Sequence, residues 1–229
     1  MKWIKKVFDW FAADFKNDES KETATKIIVE KEVTPPTAPK RIKIDGVFEI
    51  IIMSDNHGNS MAVSQIFTYH HEADYYLHCG DINFPPEKQW QKPMTVVKGN
   101  TDYGTDYPDH EHLELPTGEK IWMTHGHLEM VGVLPEKIFK EARKFPEEKI
   151  PNIILYGHLH KVDVRMHEEF LIINPGSVID PRDGIIRTYA KLTVSKEAYK
   201  VDIYNCTNNK IIKEFEFQRA TDVADQTPE

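Results

Sequence analysis

From Val47 onward the chain alternates short apolar runs with polar loops and amphipathic stretches. Runs rich in β-branched and aromatic side chains predict strands over Val47–Met53, Tyr75–Cys79, Met94–Lys98, Ile121–Thr124 and Asn152–Tyr156. Apolar residues at helical spacing predict helices over Met61–His71 and Leu134–Lys144. Strand and helix in alternation argue for a layered α/β domain. After Lys161 the pattern becomes almost entirely strand: Val162–His167, Phe170–Ile173, Ile186–Val194, Tyr199–Asn205 and Lys210–Phe217, with turns at Glu168-Glu169 and near Asn208-Asn209. These late strands read as antiparallel and suggest a second sheet facing the first. The expected architecture is an α/β (α+β) four-layer sandwich, two facing mixed β-sheets flanked by helices.

The ends read differently. Residues 1–16 predict a short amphipathic helix, with Ile4, Val7, Phe8, Phe11 and Phe15 on one face. Such a helix docks on the domain or on a second copy of the chain in a homo-oligomer. A basic start with aromatics also suits weak membrane-surface contact. Residues 17–45, rich in Lys, Glu and Thr and containing Thr34-Pro35-Pro36-Thr37-Ala38-Pro39, read as a flexible linker. The domain is expected over 46–218 and a disordered tail over 219–229.

The formal net charge of -8 disfavours a protein built to coat nucleic acid, so no stable nucleic-acid binding is expected. Cys79 and Cys206 form no framework and read as free thiols in a reducing compartment. No apolar run is long enough for a spanning helix. The N-terminus imitates a secretion signal, but Asp9 and Asp14 interrupt its apolar run. A cytoplasmic location is expected. Histidine, with 11 copies, is the compositional outlier, and its meaning depends on position.

Five polar clusters each follow a predicted strand: Ser54-Asp55-Asn56-His57-Gly58-Asn59, Gly80-Asp81, Gly99-Asn100-Thr101-Asp102, Thr124-His125-Gly126-His127 and Gly157-His158-Leu159-His160. In open α/β sheets the active crevice lies beyond the carboxyl ends of the strands, so five such clusters can converge. Asp55 and His57 are two apart at a strand end, where extended backbone would point both the same way; His158 and His160 repeat the spacing. Carboxylate, imidazole and amide together suit Mn, Fe, Zn, Ni or Co. The absence of cysteine among them argues against a closed structural zinc site. Alone, Gly-Asp is usually a turn and His-x-His is often a surface accident; the ordered set carries the weight. Elsewhere His70, His71, His110, His112 and His167 read as solvated, His78 as a satisfied buried imidazole, and Arg182 as a surface residue. Asn174-Pro175-Gly176-Ser177 reads as a tight turn supporting the site.

In that order, Asp-x-His, Gly-Asp, Gly-Asn-x-Asp, His-Gly-His and Gly-His-x-His resemble the calcineurin-like metallophosphoesterases. The compactness of the domain and Ile173-Asn174-Pro175-Gly176-Ser177 resemble the small YfcE-like phosphodiesterases; the likeness runs from about Val47 to about Phe217. The resemblance implies two divalent ions, Mn first. Asp55, His57 and His160 would hold one, Asn100, His125 and His158 the other, and Asp81 would bridge. It implies hydrolysis of a small phosphodiester or activated phosphoester by a hydroxide between ions ~3.5–4 Å apart. Asn100 would also donate to a phosphoryl oxygen. Many members carry histidine after Gly-Asn as acid for the leaving oxygen; here Thr101 stands there. Asp102 would normally orient that histidine, and His127 becomes either the substitute acid or a supporting residue. A non-catalytic scaffold, as in the retromer subunit of similar fold, and a DNA-processing nuclease are the alternatives.

Overall fold

The computed structural model of the chain describes residues 46–219. The helix expected over 1–16, the linker over 17–45 and all but the first residue of the expected tail lie outside the described residues. Strands β1 (Phe48–Met53), β2 (Tyr75–His78) and β3 (Thr95–Val96) pair in parallel. Strands β9 (Thr188–Val194), β10 (Ala198–Asn205) and β11 (Ile211–Gln218) extend the same sheet antiparallel from β1, in the order β11-β10-β9-β1-β2-β3. The second sheet joins β4 (His110–Glu114), β5 (Lys120–Thr124), β6 (Ile153–Leu155), β7 (Val162–His167) and β8 (Phe170–Pro175) in the order β4-β5-β6-β8-β7. There β5, β6 and β8 run parallel, between antiparallel edges. Helix α1 (Ser60–Tyr69) covers the first sheet and α2 (Lys137–Ala142) the second.

The four-layer sandwich follows from which face each strand buries. In β1, Ile50 and Ile52 point into the core between the sheets, while Ile51 and Met53 pack with Val63, Ile66 and Phe67 of α1. Both faces are covered, so the strand reads as one apolar run rather than an alternation. From the second sheet, Ile121, Met123, Ile153 and Leu155 meet that central core, and Trp122 and Ile154 pack outward with Ile138 and Phe139 of α2. Each such side chain, fully buried, contributes about 1.5–3 kcal/mol.

Some expectations are corrected. The late strands do not form one sheet: β7 and β8 complete the sheet begun by β4, β5 and β6, and β9, β10 and β11 return to β1. Helix α2 starts three residues later than its pattern suggested, because Leu134 precedes Pro135 and is disfavoured in helical backbone. Strand β4 was not expected. It is an edge strand with exposed His110, His112 and Glu114, so it lacks an apolar run. Arg219, expected in the tail, is bonded through its N–H to Glu197 and through its guanidinium to Ser195 and Glu119. The turns at Glu168 and Asn209 are observed, both with left-handed backbone.

Every described core residue lies beyond Val47. Deleting residues 1–45 should therefore leave a folded domain, with a melting temperature within a few degrees of the full chain. Insolubility of the truncated protein would overturn this.

Candidate metal centre

Loops at the carboxyl ends of β1, β2, β3, β5 and β6 carry the five clusters. Asp55 closes onto the β2 loop by Asp55 N–H to Gly80 C=O, 3.1 Å, and His57 by its N–H to Asp81 C=O, 3.0 Å. Gly157 N–H bonds His125 C=O at 3.1 Å, tying the β6 loop to the β5 loop. The supporting turn acts on two ligand loops at once. Ser177 Oγ donates to Asp55 C=O at 2.9 Å, and Asn174 Nδ2 donates to Gly157 C=O at 2.8 Å.

The paired ligands do not converge through extended backbone as the two-residue spacing suggested. Asp55 and His57 have φ of 54° and 42°, and His158 and His160 have 67° and 56°. Asp81 joins them at 54°. All five are in the left-handed region, which costs a non-glycine residue about 1–3 kcal/mol and is concentrated at functional sites. Glycines supply room. A Cβ on Gly99 would stand 2.1 Å from Asp81 Oδ1, and one on Gly157 2.0 Å from Ser54 Oγ.

Asp55, His57, Asp81 and His160 place ligand atoms within 4.8 Å of one another. His160 Nε2 is 3.0 Å from Asp55 Oδ1 and 3.3 Å from His57 Nε2. His125 Nε2 is 3.0 Å from Asn100 Oδ1, 3.5 Å from Asp81 Oδ2 and 4.0 Å from Asp55 Oδ1. The His158 ring centroid is 5.1 Å from that of His125, and the His158 N–H donates to Asp55 Oδ2. The structure thus brings all seven expected ligand residues to one place.

The histidine tautomers decide what this place is for. His160 Nδ1 sits 2.6 Å from the Asp180 carbonyl oxygen, and His125 Nδ1 sits 2.7 Å from that of Cys79. A carbonyl accepts, so each Nδ1 carries the proton and each Nε2 presents a lone pair inward. Those lone pairs face carboxylate and amide oxygens. Asp55 Oδ1, fully buried, has no hydrogen-bond donor among the described residues. Acceptors gathered against acceptors in a buried site are costly unless a cation lies between them.

With no ion in place, the same close approach favours a proton on the inward nitrogens, the positive charge that an ion would otherwise supply. Burial pushes the Asp81 carboxyl up, but the His125 hydrogen bond and charge and the Thr101 N–H outweigh it and hold it well below the usual carboxylate range. Burial lowers His125 and His160, yet Asp81 and Asp55 respectively, as hydrogen-bond partners and charges, leave both above the ordinary imidazole value of 6.5. Burial, then the charge of His125, lowers His127 and His158.

The remaining candidates fall into place around the centre. Asp102 is buried, and both its oxygens brace loops: Oδ2 accepts Gly99 N–H at 2.8 Å, and Oδ1 accepts Asn83 N–H at 2.6 Å. His127 lies 5.3 Å from His125 and 6.2 Å from His158 between ring centroids. His78, expected to be satisfied, is buried with neither ring nitrogen bonded among the described residues, and burial pushes it down to about 3. His70, expected at the surface, is half-buried against the Tyr189 hydroxyl, and His167 stacks on Phe139. His110 pairs with Glu129, whereas His71, His112 and Arg182 are exposed. Both cysteines are free and buried.

Sequence reading missed three supports: Ser54, whose Oγ donates to Asp55 Oδ2; Asp180, whose carbonyl orients His160; and Asn83, whose side chain donates to Thr101 C=O. Ser54 stands inside the first cluster without having been given a role, and Asp180 lies just beyond the supporting turn, where a backbone carbonyl leaves no mark in a sequence.

Residues 48–197 match the calcineurin-like phosphoesterase superfamily domain. The chain belongs to this superfamily. Among its relatives is a probable metallophosphoesterase, YsnB of Bacillus subtilis, 34% identical over 163 residues covering 71% of this chain and 94% of the relative. A predicted phosphoesterase of Streptococcus pneumoniae superposes with a TM-score of 0.68 at 34% identity, covering 76% of this chain and 98% of that one. YfcE, a phosphoesterase from E. coli, shares the fold at 20% identity and a TM-score of 0.51, over 73% of this chain and 98% of its own. Among the described residues of this superfamily member, no helix is long and apolar enough to cross a membrane.

Proposed function

We propose that the chain hydrolyses phosphodiester or activated phosphoester bonds of a small cytoplasmic substrate, using two divalent ions, Mn first among them. One observation carries this reading: the inward nitrogens of His125 and His160 meet the side-chain oxygens of Asn100 and Asp55 at 3.0 Å, with their opposite nitrogens already committed to carbonyls. Asp55, His57 and His160 would hold one ion, Asn100, His125 and His158 the other, and Asp81 would be shared. Bound there, the ions supply Lewis acidity and an activated water.

The chain's own groups do the positioning. The Cys79 and Asp180 carbonyls fix the two imidazoles, and Ser54 and Thr101 fix the two carboxylates. Asn100 keeps its oxygen toward His125 and is exposed, so its amide nitrogen serves a phosphoryl oxygen. Asp102 holds the Gly99–Asn100 turn to the Asn83 loop and acts through position, not contact. His127 is lowered, and added cations would lower it further. The protonated form is therefore disfavoured at His127, which argues against it as the acid for a leaving group.

Elemental analysis after equilibration with Mn should give two ions per chain. Uptake should weaken as pH falls, beginning above the ordinary histidine value, because His125 and His160 hold protons more tightly than free imidazole and must release them to bind. Uptake of no ion, or turnover of no member of a phosphoester panel with Mn present, would overturn the reading.

A further inference from the structure

The peptide that joins His125 to Gly126 is pinned at both ends. Its carbonyl accepts Gly157 N–H at 3.1 Å, and its N–H donates to Thr124 Oγ at 3.1 Å. Gly126 has φ of 98°, and a Cβ there would meet Val131 Cγ2 at 3.0 Å. A glycine tolerates many backbone conformations, so the peptide before it rotates at little cost unless hydrogen bonds hold it. The Thr124 hydroxyl is one of the two holds on the backbone of His125.

That hydroxyl is itself held. Thr124 Oγ donates to Glu129 Oε2 at 2.7 Å, and Glu129 Oε1 accepts from His110 Nε2 at 2.7 Å. Thr124 and Glu129 are both buried. Val131 N–H to Gly126 C=O, 3.2 Å, and Met130 N–H to His127 C=O, 3.1 Å, turn the chain so that Glu129 comes back to Thr124. His110 stands directly opposite Thr124 in the β4–β5 register. Burial pushes the Glu129 carboxyl up, but the His110 and Thr124 hydrogen bonds outweigh it and hold it below the ordinary carboxylate value, while the same bond raises His110. Glu129 is therefore a carboxylate at neutral pH and can only accept. The Thr124 O–H must donate to it, which leaves a lone pair for Gly126 N–H.

We infer that Glu129 is a positioning residue for one half of the centre: through the Thr124 hydroxyl it fixes the His125–Gly126 peptide, and with it the imidazole that would hold an ion together with Asn100 and His158. This rests on the two-ion reading and deepens it. The Cys79 carbonyl fixes the ring end of His125, and the Glu129 clamp fixes its backbone end. Among the described residues, neither the Thr124 hydroxyl nor the Glu129 carboxylate bonds Asp55, His57 or His160, the ligands of the other half. Removing the clamp should thus loosen one ion and spare its neighbour.

The test is a calorimetric titration of the full-length protein with Mn, for Glu129→Met and Thr124→Val. Each variant keeps the volume of the side chain and removes its hydrogen bonds. In both, one of the two ions should bind about 10–100-fold more weakly, the usual cost of losing a group that orients a ligand, and the other should bind as before. Thr124→Ser, which keeps the hydroxyl, should bind both ions normally. Turnover of an aryl phosphodiester at low Mn should fall in step and recover as Mn is raised, which a damaged fold would not allow. If Glu129→Met fails to melt cooperatively, Thr124→Val against Thr124→Ser carries the test. Equal weakening of both ions, normal binding in a folded Glu129→Met or Thr124→Val, or a Thr124→Ser as weak as Thr124→Val overturns the inference. If the unmodified protein takes up two ions but cleaves no ester, the hydrolase reading falls and the titrations still decide the role of Glu129. If it takes up no ion, both fall.

Discussion

Asp81→Asn should lower turnover at least ~10³-fold and remove metal from both halves of the centre at once. The argument is geometric. Asp81 Oδ2 is 3.5 Å from His125 Nε2, on the Asn100 side, and the same carboxylate shares the 4.8 Å cluster with Asp55, His57 and His160. Asp55 also belongs to the cluster, but its Oδ1 stands farther from His125 Nε2, at 4.0 Å. Oδ1 already accepts the Thr101 N–H at 2.8 Å, which fixes the plane of the group. Asparagine has the same shape, so the loop packing around Gly99 survives, but an amide nitrogen replaces one acceptor and the charge is lost. The depressed folded-state carboxyl contributes stability above its unfolded value near 3.8, and that contribution is lost as pH falls through the folded value. At neutral pH the variant therefore gives up some stability as well as metal. A thermal melt should still show a cooperative transition. Metal content together with kcat then decides the matter: near-normal values would mean that Asp81 is not the shared ligand.

The strands of the fold were legible because most are covered on both faces, so apolar runs such as Ile50–Met53 and Ile153–Leu155 stand out from the loops. What the pattern could not show was which sheet each late strand joins. Val162–His167 and Thr188–Val194 look alike as sequences, and only the core they meet separates them. Edge strand β4 was invisible for the opposite reason, having little to bury. At the centre, residue types and order were enough to single out the seven residues that the fold brings together, four of which place ligand atoms within 4.8 Å of one another. The route by which they converge was not: Asp and His tolerate left-handed backbone better than most residues, but that preference is too weak to place it at Asp55, His57, Asp81, His158 and His160 in advance. Nor did the sequence reveal that His78 is buried without a bonded partner, since a strand histidine beside an apolar run predicts burial and says nothing of what its nitrogens meet.

Rate should depend steeply on the acidity of the leaving group, with aryl diesters cleaved far faster than alkyl ones. An alkoxide needs a proton as it leaves, and general-acid help is typically worth ~10²–10⁴-fold when it is needed. A nitrophenolate scarcely needs it. Thr101 occupies the position after Gly-Asn, and its hydroxyl is 3.0 Å from Asn83 Nδ2, so it is held as an acceptor and is no acid at neutral pH. His127, the other candidate, is pushed down by burial and by His125. Thr101→His should flatten the dependence by speeding the poor leaving groups selectively, by up to ~10²-fold or more. The substitution gives up the Asn83 contact to the threonine hydroxyl, but the Asn83 bonds to Thr101 C=O and to Asp102 remain to hold the turn. The measurement is kcat across aryl and alkyl esters for both proteins, with the retained group held constant. A flat series in the unmodified protein would reveal an acid elsewhere, with His127→Ala the next variant. A steep series unchanged by Thr101→His would show that position 101 does not face the leaving oxygen.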